Sequence, residues 1–294
     1  MELAKSVAQS EGDVQRVDTL QDRLVRALYG HMAGRLLLRP LTSPWFSKLG
    51  GRLLDTHLSA LLVRPLARAQ HIDLSQCEKQ QFSSYNDFFT RRLQADARPV
   101  DLDPDAWISP CDAKLCVWPI TPSGRFCIKH TPYTLEELLR NKALAKRYQG
   151  GYLWLFRLSV DDYHRYIFPV DARVSRQIRI PGVFHTVNPI ANDHEPIYKE
   201  NTREYCLLRT ERFGTVLMME VGAMLVGKIE NRPAPETVRR GEEKGNFAFG
   251  GSTIILLSRA GMVKPEETLL KETQAGHERA VRMGERVGER ARKV

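Results

Sequence analysis

After about residue 95 the apolar residues of this chain come in short runs, each closed by proline, glycine or aspartate. The runs are "KLCVWPI" (114–120), "GYLWLFRLSV" (151–160), "YIFPVDARV" (166–174), "TVLMMEVGAMLVGKI" (215–229) and "GSTIILLS" (251–258). They are rich in β-branched, aromatic and leucine residues, so they predict strands separated by turns rather than long helices. One amphipathic stretch interrupts them. "TLEELLRNKALAKRY" (134–148) predicts a helix with Thr134 as N-cap and Glu137 in the capping-box position. The expected body is therefore β-rich. The longest run without a charge, 245–258, has 14 residues, short of the roughly 20 that a membrane-spanning helix needs.

The front of the chain has a different grain. Residues 1–22 read as a polar arm, and 23–95 as a helical region with apolar residues at three- and four-residue spacing, interrupted near Pro40, Pro44 and Pro65. The residues thus predict a helical front end, then a β-rich body over 96–294. No apolar leader is found between Met1 and Gly30, so no secretory signal is expected. The five cysteines are odd in number and lack a C-x-x-C pair, which argues against a disulfide framework or a zinc site and for a reducing compartment.

The net charge of +9 calls for an anionic partner. Between Arg23 and Arg68 eight basic residues, among them Arg35, Arg39, Lys48 and Arg52, face a single acid, Asp55. They are interleaved with leucines and with Trp45 and Phe46, the make-up of helices that lie on an anionic bilayer. Helices packed on a core with a solvated basic face would read the same way. Nucleic acid is disfavoured, since the basic run is leucine-rich and carries no zinc module or aromatic RNA-binding signature.

Chemistry concentrates at "NFAFGGSTIILLS" (246–258). A serine hydroxyl can attack the carbonyl before it, turning the amide into an ester, and glycine permits the contorted backbone that this needs. Elimination then cuts the chain and leaves dehydroalanine, which hydrolyses to a pyruvoyl group. Such a group forms a Schiff base with a substrate amine and accepts the electrons of a departing carboxylate. A Gly-Ser-Thr tripeptide alone is equally a tight strand entry.

The surroundings decide between the two. "RRGEEKGNFAFGGSTIILL" resembles the self-cleavage segment of phosphatidylserine decarboxylases. So do "YNDFFTRRLQADARPVD", "SPCDAKL" (109–115), "DDYHRYIFPVDARV" (161–174), "VFHTVNPIA", "NTREYCLL" and "MMEVGAMLVGKI", all in the family's order. The resemblance implies an α+β fold, with an N-terminal helical membrane-binding segment and an antiparallel β-rich catalytic body over 96–294, and cleavage between Gly251 and Ser252, with Gly250 and Thr253 supporting the geometry. It implies a β chain of residues 1–251, an α chain of 252–294, and a pyruvoyl group made from Ser252, with no metal. Asp112 matches the family's catalytic aspartate, which charges a histidine so that it can deprotonate the serine. His164 matches the histidine beside the leaving carboxylate. The family's second histidine, three residues on, is replaced here by Ile167, which can neither give nor take a proton. His185 is the expected replacement, ahead of His194 and His130, unless His164 serves both steps.

The substrate so implied lies in a bilayer surface, which favours the membrane reading of 23–68 and a peripheral protein at the cytoplasmic face of an anionic membrane. A homodimer is compatible with the sequence. The alternatives are an uncleaved, non-enzymatic lipid-binding relative and a pyruvoyl decarboxylase acting on a soluble amino acid.

Overall fold

In the computed structural model the described residues are 44–128, 131–183, 185–186, 197–223, 229–233, 235–248 and 252–291, with side chains described from Leu49 onward. Arg35, Arg39, His130, His194, Gly250 and Gly251 lie outside them.

The apolar runs form the middle of a nine-stranded sheet. Its order is β12 (Thr237–Val238), β7 (Ala172–Val174), β9 (Arg203–Arg209), β10 (Thr215–Val221), β14 (Ser252–Ser258), β5 (Tyr152–Leu158), β2 (Ala113–Pro119) and β16 (Arg279–Val281), with β8 (Ile178–Ile180) also paired to β9. A second sheet holds β1 (Ala106–Ile108), β17 (Arg286–Arg290) and β15 (Val263–Pro265), and a third holds β11 (Ile229–Asn231), β13 (Glu243–Phe247) and β6 (Arg165–Ile167). A hairpin of β3 (Arg125–Ile128) and β4 (Thr131–Thr134) completes the set. Every pairing between these strands is antiparallel, so the α+β reading with an antiparallel body holds.

The central strands read as continuous apolar runs because both faces of the sheet are covered. On one face Leu153, Leu155, Leu217, Met219, Ile255 and Leu257 pack with Leu135, Leu138, Leu139 and Tyr148. On the other, Trp154, Phe156, Met218, Ile254 and Leu256 pack with Trp107, Phe213 and Leu269. Strand β14 is buried along its whole length.

Two sequence expectations change. The stretch 134–148 is two short helices, Leu135–Leu139 and Lys142–Ala145, not one. Thr134 makes its capping box with Glu137, but Arg140 turns into the left-handed region (φ 47°) and the Asn141 side chain caps the second helix at Leu144 N. Asn141 thus gives the backbone a competing partner in mid-pattern. The last stretch, 271–294, reads in the sequence as a final strand around Ala280–Met283 and then a basic tail; the strand is β16, but the expected tail contains β17, the middle strand of its sheet. Its charges sit in ion pairs, Arg286 with Asp101 and Asp103 among them.

The described front end is helical, with Pro44–Leu54, a 3-10 turn His57–Leu62, Val63–Ala69 and Tyr85–Phe89. Pro65 sits in the first turn of its helix, where its missing N–H costs nothing.

A break before Ser252 would leave β14 between β10 and β5, paired along both edges. Burial of its four central aliphatic side chains stabilises it by about 1.5–3 kcal/mol each. Two chains cut at that point therefore co-elute in native gel filtration and separate only in denaturant; separation in native buffer would contradict this topology.

Candidate active site

Ser252 opens β14 opposite Leu158, the last residue of β5, and is only 1% exposed. Neither its hydroxyl nor that of the buried Thr253 has a hydrogen-bond partner among the described residues. Leaving a buried hydroxyl unpaired costs about 1–3 kcal/mol, so an ordinary strand entry would not carry two in succession. Ser258, the other buried hydroxyl of the strand, accepts from Trp154 Nε1 at 3.2 Å, and Ile254–Leu257 between them are hydrocarbon.

His164 is reached from the same end of β5. The chain leaves Leu158, turns through Ser159–Asp162 and enters β6 just after His164. Asp162 organises the turn: its carboxylate accepts from Ser159 N at 2.6 Å and Lys114 Nζ at 2.8 Å. Burial pushes this carboxyl upward in pKa against the pull of Lys114. Its main-chain carbonyl lies 2.9 Å from His164 Nδ1. A carbonyl only accepts, so the proton sits on Nδ1 and Nε2 carries the lone pair of the neutral ring. The imidazole is fully buried, with the Phe89 ring 3.9 Å away between centroids. Phe247 N donates to His164 O at 2.9 Å, tying the strand that runs up to the glycine segment to this histidine.

Asp112 is buried in the turn before β2. Its carboxylate accepts from Arg98 Nε at 2.8 and 3.0 Å, Arg98 Nη2 at 2.6 Å and Met283 N at 2.8 Å. Ile167 lies beside that turn, its N–H donating to Pro110 O at 2.9 Å. Its side chain packs with Ala106, Ile108, Val100 and Met283. The position of the missing histidine is therefore hydrocarbon, and Asp112 has a guanidinium for a partner.

His185 stands in the segment between β8 and the helix Ile197–Glu200, with Nε2 3.5 Å from Glu200 Oε2. Of the surface residues singled out in the sequence, Arg52 is exposed, and Trp45, Phe46 and Lys48 lie in the helix Pro44–Leu54.

The residues missed in the sequence are a buried pair, Glu220 on β10 and Lys244 on β13, 2.9 Å apart with side chains 0% and 3% exposed. Asn231 donates to Glu220 and accepts from Lys244, and Gln177 donates to Glu220 at 2.8 Å. Burial drives the Glu220 carboxyl upward, opposed by Lys244. The pair fastens the small sheet carrying β13, which leads to the cleavage motif, onto the strand adjoining β14. Glu220 stands inside "TVLMMEV" and Lys244 outside any apolar run, so their partnership is visible only in three dimensions. Among the described residues no group of three or more His, Cys, Asp and Glu side chains could hold a metal ion.

Lys244→Met strands Glu220 and is expected to lower stability by about 3–5 kcal/mol. The double variant Lys244→Met/Glu220→Leu recovers most of that in urea unfolding. A single variant within about 1 kcal/mol of the parent would show that the pair does not bind the sheets together.

Residues 85–289 match a family model described as phosphatidylserine decarboxylase. The chain is similar to phosphatidylserine decarboxylase proenzyme 2 of Clostridium acetobutylicum, 40% identical over 266 residues, covering 90% of this chain and 91% of the relative. It is 37% identical over 272 residues to the phosphatidylserine decarboxylase proenzyme of Ruminiclostridium cellulolyticum, covering 90% and 91%. A third such proenzyme, from Fusobacterium nucleatum, is 33% identical over 292 residues and 96% of each chain.

Proposed function

The chain belongs to the phosphatidylserine decarboxylase family and is a carboxy-lyase acting on phosphatidylserine, and on that premise we propose that it cuts itself between Gly251 and Ser252 and works through a pyruvoyl group made from Ser252. The observation that carries this reading is the head of β14, where the Ser252 and Thr253 hydroxyls are buried with no hydrogen-bond partner among the described residues. Reactive groups left unsatisfied at the mouth of a rigid strand fit a group that is made there and then used there. Cleavage gives chains of residues 1–251 and 252–294.

When present, the pyruvoyl group supplies an electron sink for the pair released as the carboxyl group leaves. The chain's own residues do the rest. His164, whose Nδ1 proton is held by Asp162 O, takes up a proton at Nε2 and delivers it to the carbon that loses CO2. Phe89, against the imidazole, keeps water from that proton. Asp112, with Arg98 and the Met283 amide, holds the turn before β2 that packs beneath β6.

The phospholipid is met at a membrane surface by the front end. Leu53, Leu58 and Leu61 are 62%, 79% and 75% exposed, and Leu49 and Leu62 are exposed beside them. Arg52, Arg64 and Arg68 are exposed on the same elements, each worth about 1 kcal/mol on an anionic surface. This face is joined to the site. Tyr85 N donates to Ser59 Oγ at 2.8 Å and Asn86 to Asp55 at 2.7 Å, and the helix Tyr85–Phe89 carries Phe89 onto His164. No described helix is long and apolar enough to cross a membrane.

The test is phosphatidylethanolamine formation from phosphatidylserine vesicles. The parent forms it, and Ser252→Ala forms none; activity surviving in Ser252→Ala would refute the role of the serine. Replacing Leu53, Leu58 and Leu61 by Asp lowers the rate on vesicles at least about tenfold, since each leucine contributes about 1.5–3 kcal/mol on insertion, while turnover of a dispersed short-chain substrate persists. Equal vesicle rates would refute the membrane face.

A further inference from the structure

A buried arginine stands beside His164 with no anion of its own. Arg91 follows the helix Tyr85–Phe89 and is only 4% exposed. Its guanidinium rests on the Phe88 ring, with Cζ 5.0 Å from the centroid, and faces the Tyr163 ring at 6.0 Å. Nε and Nη1 have no hydrogen-bond partner among the described residues. The nearby carboxylates are taken by other arginines: Arg92 and Arg165 share Glu243, and Arg98 holds Asp112. Cys77 lies beside the guanidinium, but burial raises its pKa and keeps the thiol neutral. Burial also works against the charge of Arg91 itself. Aromatic faces offset part of the cost of a buried cation, yet a guanidinium is shaped to meet oxygens in its own plane.

The position of Arg91 is fixed relative to the imidazole. Asp162 O accepts from His164 Nδ1 at 2.9 Å, and Arg91 Nη2 lies 3.5 Å from the same oxygen. The two nitrogens can stand no farther apart than those distances laid end to end. Phe89 packs on the His164 ring while Phe88, its neighbour, packs on Arg91. Arg165, the residue after His164, donates through Nε to Thr90 O at 3.0 Å and Arg91 O at 3.1 Å. The main chain of the arginine is thus held by the neighbour of the histidine. His164 is itself fully buried, so a headgroup meets it only through an opening of the site. An opening that reaches the imidazole reaches the guanidinium on the same carbonyl.

The headgroup brings two anions, a carboxylate and a phosphodiester a few covalent bonds away. The carboxylate departs as CO2, and a cation paired with it would favour the ground state and slow the departure. The phosphodiester keeps its charge throughout, so a cation on it binds ground and transition states alike. A planar fork of donors matches phosphate oxygens in particular.

We propose that Arg91 binds the phosphodiester of the substrate headgroup and so selects a serine that carries one over free serine. This rests on the reading of His164 as the proton donor of the proposed site. Nε and Nη1 supply donors that the fold leaves unused. Phe88 and Tyr163 fix the plane of the fork, and Asp162 O fixes its distance from the imidazole. No bond is made or broken at Arg91. Its contribution is binding, and it is expressed in KM.

The experiment measures KM and kcat of the processed full chain on dispersed short-chain phosphatidylserine, and its inhibition by glycerophosphoethanolamine and by ethanolamine. The parent is compared with Arg91→Met, Arg91→Lys and, as a control, Arg92→Met at the exposed neighbouring position. Glycerophosphoethanolamine should inhibit the parent more tightly than ethanolamine, which lacks the phosphodiester. Arg91→Met should raise KM about 10–100-fold, the usual loss for charge-assisted hydrogen bonds, with the change in KM rather than kcat and most of that preference gone. Arg91→Lys, which keeps the charge without the fork, should fall in between, and Arg92→Met should match the parent. A purely structural role would weaken both inhibitors alike and leave their ratio untouched. A parental KM in Arg91→Met, an unchanged inhibitor ratio, an equal rise in Arg92→Met or a parent without the preference would each overturn the assignment. Should Arg91→Met not fold or not process, Arg91→Lys decides: a reduced ratio supports the contact and a parental one overturns it. A parent that forms no phosphatidylethanolamine overturns the proposed site together with this inference, whereas a parent that forms it while Arg91→Met keeps its KM overturns the inference alone.

Discussion

Pairing of β14 along both its edges is the constraint on which the rest depends. Seven registered residues join it to β5 and five join it to β10. Both of its faces are covered by core. A chain that breaks its own backbone must keep the new terminus where the bond was, and a central strand buried on all four sides does that without any covalent help. The four aliphatic residues Ile254–Leu257 together supply about 6–12 kcal/mol of burial, comparable with the whole stability of an ordinary domain. That surplus is what lets Ser252 and Thr253 remain buried and unsatisfied at the strand's first two positions.

The reactive end is stiffened from several directions. The Asp162 turn leaves β5 beside Ser252 and fixes the His164 ring, and Phe247 ties β13 to the same histidine. Glu220 and Lys244 bind the sheet carrying β13 to β10. The Asn201 amide joins the His185 segment to Gly222. The Phe247, Glu220–Lys244 and Asn201 contacts each link elements distant in sequence, and all lie around the first residues of β14. The helix Tyr85–Phe89 adds a fourth connection, from the exposed leucine face to the imidazole of His164. The exposed leucine face is in this way mechanically continuous with the imidazole of His164.

The strand body was legible in the sequence because its signal is local. Short β-rich runs between breakers became β2, β5, β10 and β14, and the Thr134 capping box formed as read. Arg140 and Asn141 misled because a helix-compatible periodicity hid a second N-cap. The strand β17 was missed because "GERVGERARKV" offers only one apolar residue between Gly284 and Arg290, Val287, while its charges are neutralised by acids far away in sequence. Ser252 was singled out through its motif. The Asp112–Arg98 pair, the Glu220–Lys244 pair and the Asn201 clamp were not, since nothing in one dimension says which partner a charged or amide side chain will meet. The departure at Ile167 was visible at once, but its hydrocarbon surroundings and the guanidinium that partners Asp112 were not.

The most direct measurement is the intact mass of the freshly purified chain and of its C-terminal fragment, beside Ser252→Ala. The account predicts two chains meeting at 251/252, the smaller one beginning with a keto group in place of the serine amine and therefore refractory to amino-terminal sequencing, and a single whole chain for Ser252→Ala. A whole chain in the parent, or a C-terminal fragment beginning with an intact serine amine, would contradict it.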